Sequence, residues 1–102
     1  LDLIIDLRLK SPNFMKFKTI ILDDSITNAI YIPKGFGHGF LSLSHESILN
    51  YNTSTVYEEK SDHGIHWSSI GYDWPISKPI ISHRDNKFPK LESFVSPFVE
   101  KI

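Results

Sequence analysis

Residues 1–9 alternate apolar and polar, with Leu1, Leu3, Ile5, Leu7 and Leu9 on one side and Asp2, Asp6 and Arg8 on the other. This is the period of a half-buried β-strand. Strand-sized runs recur at about 16–22, 29–32, 38–43, 47–57 and 64–67. Between them lie turn-forming clusters: Ser11-Pro12-Asn13, Leu22-Asp23-Asp24-Ser25, Pro33-Lys34-Gly35, Ser44-His45-Glu46-Ser47 and Ser61-Asp62-His63-Gly64, with Trp74-Pro75 beyond the last. From Asp73 the pattern changes. Prolines at 75, 79, 89 and 97 fall too densely for central strands, because proline has no N–H to give to a ladder. They predict an irregular segment that wraps the surface, with one short helical turn. The expected organisation is a single domain over 1–102, with barrel strands in 1–72 and the irregular C-terminal wrap in 73–102.

Composition strengthens the β reading. A single alanine, Ala29, stands against fourteen isoleucines and thirteen aromatic residues. Branched and aromatic side chains suit a pleated surface, and the best helix former is almost missing. The expected fold is therefore an all-β sandwich or barrel. No cysteine is present, which excludes a disulfide framework, a zinc ribbon and a thiol nucleophile. A cytoplasmic location is the expectation. The formal net charge of -1 lacks the clustered cations that nucleic acid or an anionic membrane surface requires. No apolar run approaches the ~18 residues of a membrane helix. The chain opens on Leu1, inside a strand pattern, so a fragment of a longer polypeptide is expected.

Candidate chemistry concentrates in Tyr31-Ile32-Pro33-Lys34-Gly35-Phe36-Gly37-His38-Gly39-Phe40 and the run Ile48-Leu49-Asn50-Tyr51. If Ser44-His45 is a two-residue hairpin turn, His38 lies directly opposite Tyr51. Opposed residues have Cβ atoms ~5 Å apart on one face, so imidazole and phenol form either an acid/base site or a mutually satisfied structural pair. Tyr57 falls on the same face as Tyr51, ~20 Å further along. Glycines at 35, 37 and 39 are expected to keep the backbone thin where the rings of Phe36 and Phe40 pack. His63 and His66 have an odd spacing that sends strand side chains to opposite faces, so no metal site is expected. Trp67, Trp74 and Phe36 read as core or interface aromatics. Asp85 reads as a loop residue or a partner of Arg84, while Arg8 pairs with Asp6 or Asp2 or faces a pocket.

Taken together, these segments resemble the dTDP-4-dehydrorhamnose 3,5-epimerase family. Ile5-Asp6-Leu7-Arg8 with Ser11-Pro12-Asn13-Phe14 is similar to its D-x-R…SPTF segment, and Ile32–Phe40 to its IPxGFxHGF signature. Leu49-Asn50-Tyr51 through Tyr57 is similar to its tyrosine strand. Gly64-Ile65-His66-Trp67, Trp74-Pro75 and Ile81-Ser82-His83-Arg84-Asp85 follow in the family's order. The resemblance implies a cupin-type jelly-roll β-barrel, incomplete in this chain, and an isomerase of dTDP-rhamnose and polysaccharide biosynthesis. Such an enzyme removes protons from C3 and C5 of a dTDP-linked 4-keto-6-deoxyhexose and returns them to the opposite face. The resemblance makes Tyr51 the catalytic acid and Asp85 the carboxylate that orients a histidine base; it makes His38, Tyr57 and Arg8 substrate-binding residues. It implies no cofactor, since the keto group already acidifies both carbons, and a homodimer. The family's base histidine, in an R-G-x-H-x-Q motif, and its enolate-stabilising lysine lie upstream, and neither motif occurs in these residues. Loss of either group removes orders of magnitude in rate, so the chain alone is not expected to turn over efficiently. Asn52 stands where many relatives carry a basic residue. The alternatives are a noncatalytic sugar-nucleotide-binding or structural cupin, and a related keto-sugar nucleotide epimerase acting at one carbon or on another substrate.

Overall fold

A computed structural model describes residues 1–23, 25, 29–44, 47, 49, 53 and 63–98. The chain divides into two compact units, Leu1–Asn50 with Ser96–Ile102, and Tyr51–Val95.

The first unit is built on a three-stranded antiparallel sheet of β1 (Asp2–Asp6), β2 (Phe17–Ile20) and β3 (Phe36–Phe40), in the order β2-β1-β3. Ile4 pairs with Lys18 on one side and His38 on the other, and Asp2 with Ile20 and Phe40. Alternation along β1 therefore gives two faces. Leu3, Ile5 and Leu7 are buried together as the apolar core, as the sequence pattern predicts. Gly37 lies over that core: a Cβ there would stand 2.9 Å from Ile5 Cγ2 and 3.1 Å from Leu7 Cδ1. Its thinness accommodates aliphatic side chains, not the aromatic rings expected from the sequence. The opposite face is not solvated either, since Asp2 and Asp6 are each 4% exposed.

β1 stops at Asp6, short of the expected end at residue 9. The Leu7 N–H still donates to the Gly35 carbonyl, but the chain then turns, with the Ser11 N–H donating to the Arg8 carbonyl. The C-terminal segment covers this turn. Ser96 Oγ donates to the Leu7 carbonyl, and the Leu9 N–H donates to the Phe98 carbonyl over 2.9 Å. Two residues hold left-handed backbone at the strand entries, Met15 with φ 67° before β2 and Gly35 with φ 95° before β3. The strand expected at 29–32 does not form. Pro33 follows it with no N–H to donate, and Tyr31 is exposed. β3 starts at Phe36 and ends at Phe40, shifted toward the N-terminus from the expected 38–43. The expected strand 47–57 lies outside the described residues except for isolated positions.

Among its described residues the second unit is irregular, with one helical turn, α1 (His83–Asn86), and 3₁₀ turns at Trp67–Ser69 and Leu91–Ser93. Ser82 caps α1 by accepting from the Asp85 N–H at 3.1 Å, which accounts for the helical turn expected in the proline-rich tail. Residues 64–67 are not a strand. The His66 N–H donates to the Pro89 carbonyl and the Leu91 N–H to Ser69 Oγ, so this segment pairs with loop backbone and leads into a 3₁₀ turn. Tyr72 and Trp67 each meet Trp74 edge to face, with centroids 4.9 and 6.4 Å apart, and Trp74 Nε1 donates to the Trp67 carbonyl. No helix among the described residues is long and apolar enough to cross a membrane.

Candidate active site

Two polar constellations lie on the Asp2–Ile4–Asp6 face of the sheet. In the first, His38 Nε2 is 3.1 Å from Asp2 Oδ2, with the Asp2 side chain 5% and the His38 side chain 30% exposed. The register explains the contact. Ile4 is directly opposite His38 and Asp2 directly opposite Phe40, so Asp2 and His38 are diagonal neighbours, within reach of their side chains. The carboxylate fixes the plane of the imidazole through Nε2. When Nε2 carries the proton it donates to Asp2, and Nδ1 is left as an acceptor or base.

In the second, the Asp6 carboxylate accepts from Arg8 Nε at 3.1 Å, Arg8 Nη2 at 2.9 Å, the Arg8 backbone N–H at 3.0 Å and Ser11 Oγ at 2.5 Å. Chiefly through the Arg8 side chain, this set holds Asp6 well below the usual carboxylate range despite its burial, and Asp6 in turn raises Arg8. The guanidinium lies over the Phe36 ring, 4.7 Å from its centroid, and the Arg8 stem runs past Gly35. Of the pairings open to Arg8 in the sequence, the structure selects Asp6, and Arg8 also borders a cavity.

In the second unit, Asp85 lies in α1 with its side chain 48% exposed and Oδ1 3.2 Å from Arg84 Nε. Tyr51, Asn52 and Tyr57, and with them the expected pairing of His38 with Tyr51, lie outside the described residues. His66 Nδ1 is 2.8 Å from Ser68 Oγ. Among the described residues no group of three His, Asp or Glu side chains converges as a metal site would require. Asp2 is the residue that sequence reasoning missed. Its place on the polar side of an amphipathic strand was a signal, but its partnership with His38 depends on a pairing between strands some thirty residues apart.

A small antiparallel sheet with a buried carboxylate against a partly exposed histidine defines the class as a β protein with a candidate acid/base face. The model of the dTDP-4-dehydrorhamnose 3,5-epimerase family matches residues 1–93. The chain is 38% identical over 95 residues to the dTDP-4-dehydrorhamnose 3,5-epimerase of Methanothermobacter thermautotrophicus, covering 88% of this chain and 51% of that protein. It is 36% identical over 97 residues to the Escherichia coli K12 protein of the same name, covering 92% and 52%. It is 37% identical over 86 residues to the dTDP-4-dehydrorhamnose 3-epimerase of Streptomyces niveus, covering 82% and 42%. The chain belongs to the dTDP-4-dehydrorhamnose 3,5-epimerase family, and it spans about half the length of the curated relatives it matches.

Proposed function

We propose that the chain carries part of the catalytic face of a cupin-type sugar-nucleotide epimerase, acting on C3 and C5 of dTDP-4-dehydro-6-deoxy-D-glucose. The observation that carries this reading is the Asp2-oriented His38, standing on β3 within the family signature on a buried polar face. The C4 carbonyl acidifies both neighbouring carbons, so the reaction needs a base on one face of the ring, an acid on the other and stabilisation of the enolate. In this reading His38 hydrogen-bonds the keto-sugar, Tyr51 delivers the proton and Tyr57 contacts the remote end of the ligand. Asp85 orients the imidazole base, and Arg8 holds polar oxygens at the edge of the site. The working protein is a homodimer, and no cofactor takes part.

The test is proton NMR of the folded chain with dTDP-4-keto-6-deoxyglucose in D2O. Saturable line broadening of the sugar signals is expected, weakened in His38→Ala and Tyr57→Phe. Exchange at C3 and C5 is expected to be slow in the chain alone and faster with added imidazole, which acts as an external base. Formation of the epimer is expected to vanish in Tyr51→Phe. A folded sample that shows no binding overturns the reading. A second reading, epimerisation at one carbon, is favoured by the similarity to the Streptomyces niveus 3-epimerase. Exchange confined to C3 in the same spectra selects it.

A further inference from the structure

The second unit carries a cavity of about 340 Å³, bordered by Trp67, Ser68, Tyr72, Asp73 and Trp74 among other residues. That volume is at the lower end of small-molecule sites, ~300–1,000 Å³. None of these residues takes part in the epimerase reaction proposed above. The walls are held in place before any guest arrives. Tyr72 and Trp67 stand nearly perpendicular to Trp74, at 78° and 74°, so the rings form a corner and not a flat stack. Trp74 Nε1 donates to the Trp67 carbonyl at 3.0 Å, and His66 stacks on Trp67 with centroids 5.9 Å apart. Walls fixed in this way lose little freedom on binding. All three rings are still only half-buried, which leaves ring surface for a guest.

The electrostatics of the cavity have one sign. Tryptophan and tyrosine rings carry negative faces. Asp73 is exposed and makes no ion pair among the described residues. No Lys, Arg or His is among the described residues that border the cavity. Two donors of the wall are already spent. Trp74 Nε1 is bound to the Trp67 carbonyl. The Ser68 hydroxyl donates to His66 Nδ1 at 2.8 Å, since the same Nδ1 accepts from the Ser68 backbone N–H. Asp73 repels an anion, and a neutral guest draws no Coulomb attraction from it. A cation gains that attraction and the cation–π attraction of the rings. A quaternary ammonium suits the rings best, because its methyl shell gives up little hydration on leaving water.

We propose that this cavity is a binding site for a small organic quaternary ammonium ion, with Asp73 as its counter-ion and Trp67, Tyr72 and Trp74 as its walls.

The chain's two tryptophans both border the cavity, so intrinsic tryptophan fluorescence reports on it directly. The experiment is titration of the folded full chain with choline and with tetramethylammonium, beside 3,3-dimethylbutan-1-ol, which has the shape of choline without its charge. Saturable changes are expected for both cations, with the neutral isostere about tenfold weaker or less bound still. Asp73→Asn is expected to weaken choline about threefold. Fluorinated tryptophan, incorporated at both positions, keeps the shape of the walls but withdraws electrons from their faces. Choline affinity is expected to fall stepwise with the number of fluorines, which a purely structural role of the rings would not produce. Equal binding of the neutral isostere, an Asp73→Asn variant as tight as the native chain, or no response to fluorination overturns the proposal. So does a folded native sample that shows no saturable change, or one that prefers methyl glucoside. Association with phosphatidylcholine vesicles without binding of free choline overturns it as well, in favour of a membrane surface.

Discussion

Replacing Asp6 tests what holds the first unit together. Its carboxylate accepts four hydrogen bonds, three of them from Arg8, while its side chain is only 4% exposed. Removing one partner of a buried pair costs about 3–5 kcal/mol, because the other charge is left without compensation. Arg8 is 28% exposed, so water recovers part of the guanidinium, and Asp6→Ala is expected to cost about 2–3 kcal/mol. That is a large share of the ~5–15 kcal/mol a domain of this size has in total. Asp6→Asn keeps the volume but faces amide donors with Arg8 donors, and is expected to lose about 1–2 kcal/mol. The assay is urea unfolding followed by far-ultraviolet circular dichroism, compared at constant slope. A double-mutant cycle with Arg8→Met should show coupling of about 1 kcal/mol or more. The pH dependence has a definite sign. Arg8 lowers the Asp6 carboxylate in the folded chain, so the unfolded chain binds its proton first. The contribution is complete above the unfolded value of about 3.9 and is lost as pH falls from there through the folded value. Asp6→Asn should flatten the stability curve in that acid window. An Asp6→Ala variant within about 0.5 kcal/mol of the native chain, or an additive cycle, would refute the reasoning.

Gly35→Ala should destabilise by about 1–3 kcal/mol in the same assay, since φ is 95° and the new Cβ would stand 2.5 Å from Arg8 Cγ. Met15→Gly should stabilise by about 0.5–1 kcal/mol in thermal unfolding, because the left-handed backbone at φ 67° costs a side chain more than glycine loses in chain entropy. In the second unit a Cβ at Gly64 would enter the Phe88 ring. Gly64→Ala should therefore cost about 1–3 kcal/mol of stability, read as a lower urea midpoint by tryptophan fluorescence.

Local pattern was enough for the elements with strong period and simple chemistry. Alternation in residues 1–9 identified β1 and its core side chains Leu3, Ile5 and Leu7. Proline spacing was sufficient for an irregular tail with one helical turn; the structure adds the Ser82 cap that starts that turn at His83. The stretches at 29–32 and 64–67 looked like strands because isoleucine and aromatic residues favour a pleated surface, yet neither has a ladder partner among the described residues. Strand propensity is only the capacity to fit a sheet; a neighbouring strand must supply the hydrogen bonds.

The candidate site divides along the same line. The family motif, the histidine within it and the candidate roles of Tyr51, Tyr57 and Asp85 are legible in residue order alone, because a motif is local. That His38 meets Asp2 and that Asp6 absorbs Arg8 were decided by the β2-β1-β3 order and its register. The sequence by itself determined which side chains alternate onto the polar face of β1. Only the tertiary structure decided that this face is buried and which strands lie beside it, because pairing between distant segments depends on closing long loops and on the packing that those closures permit.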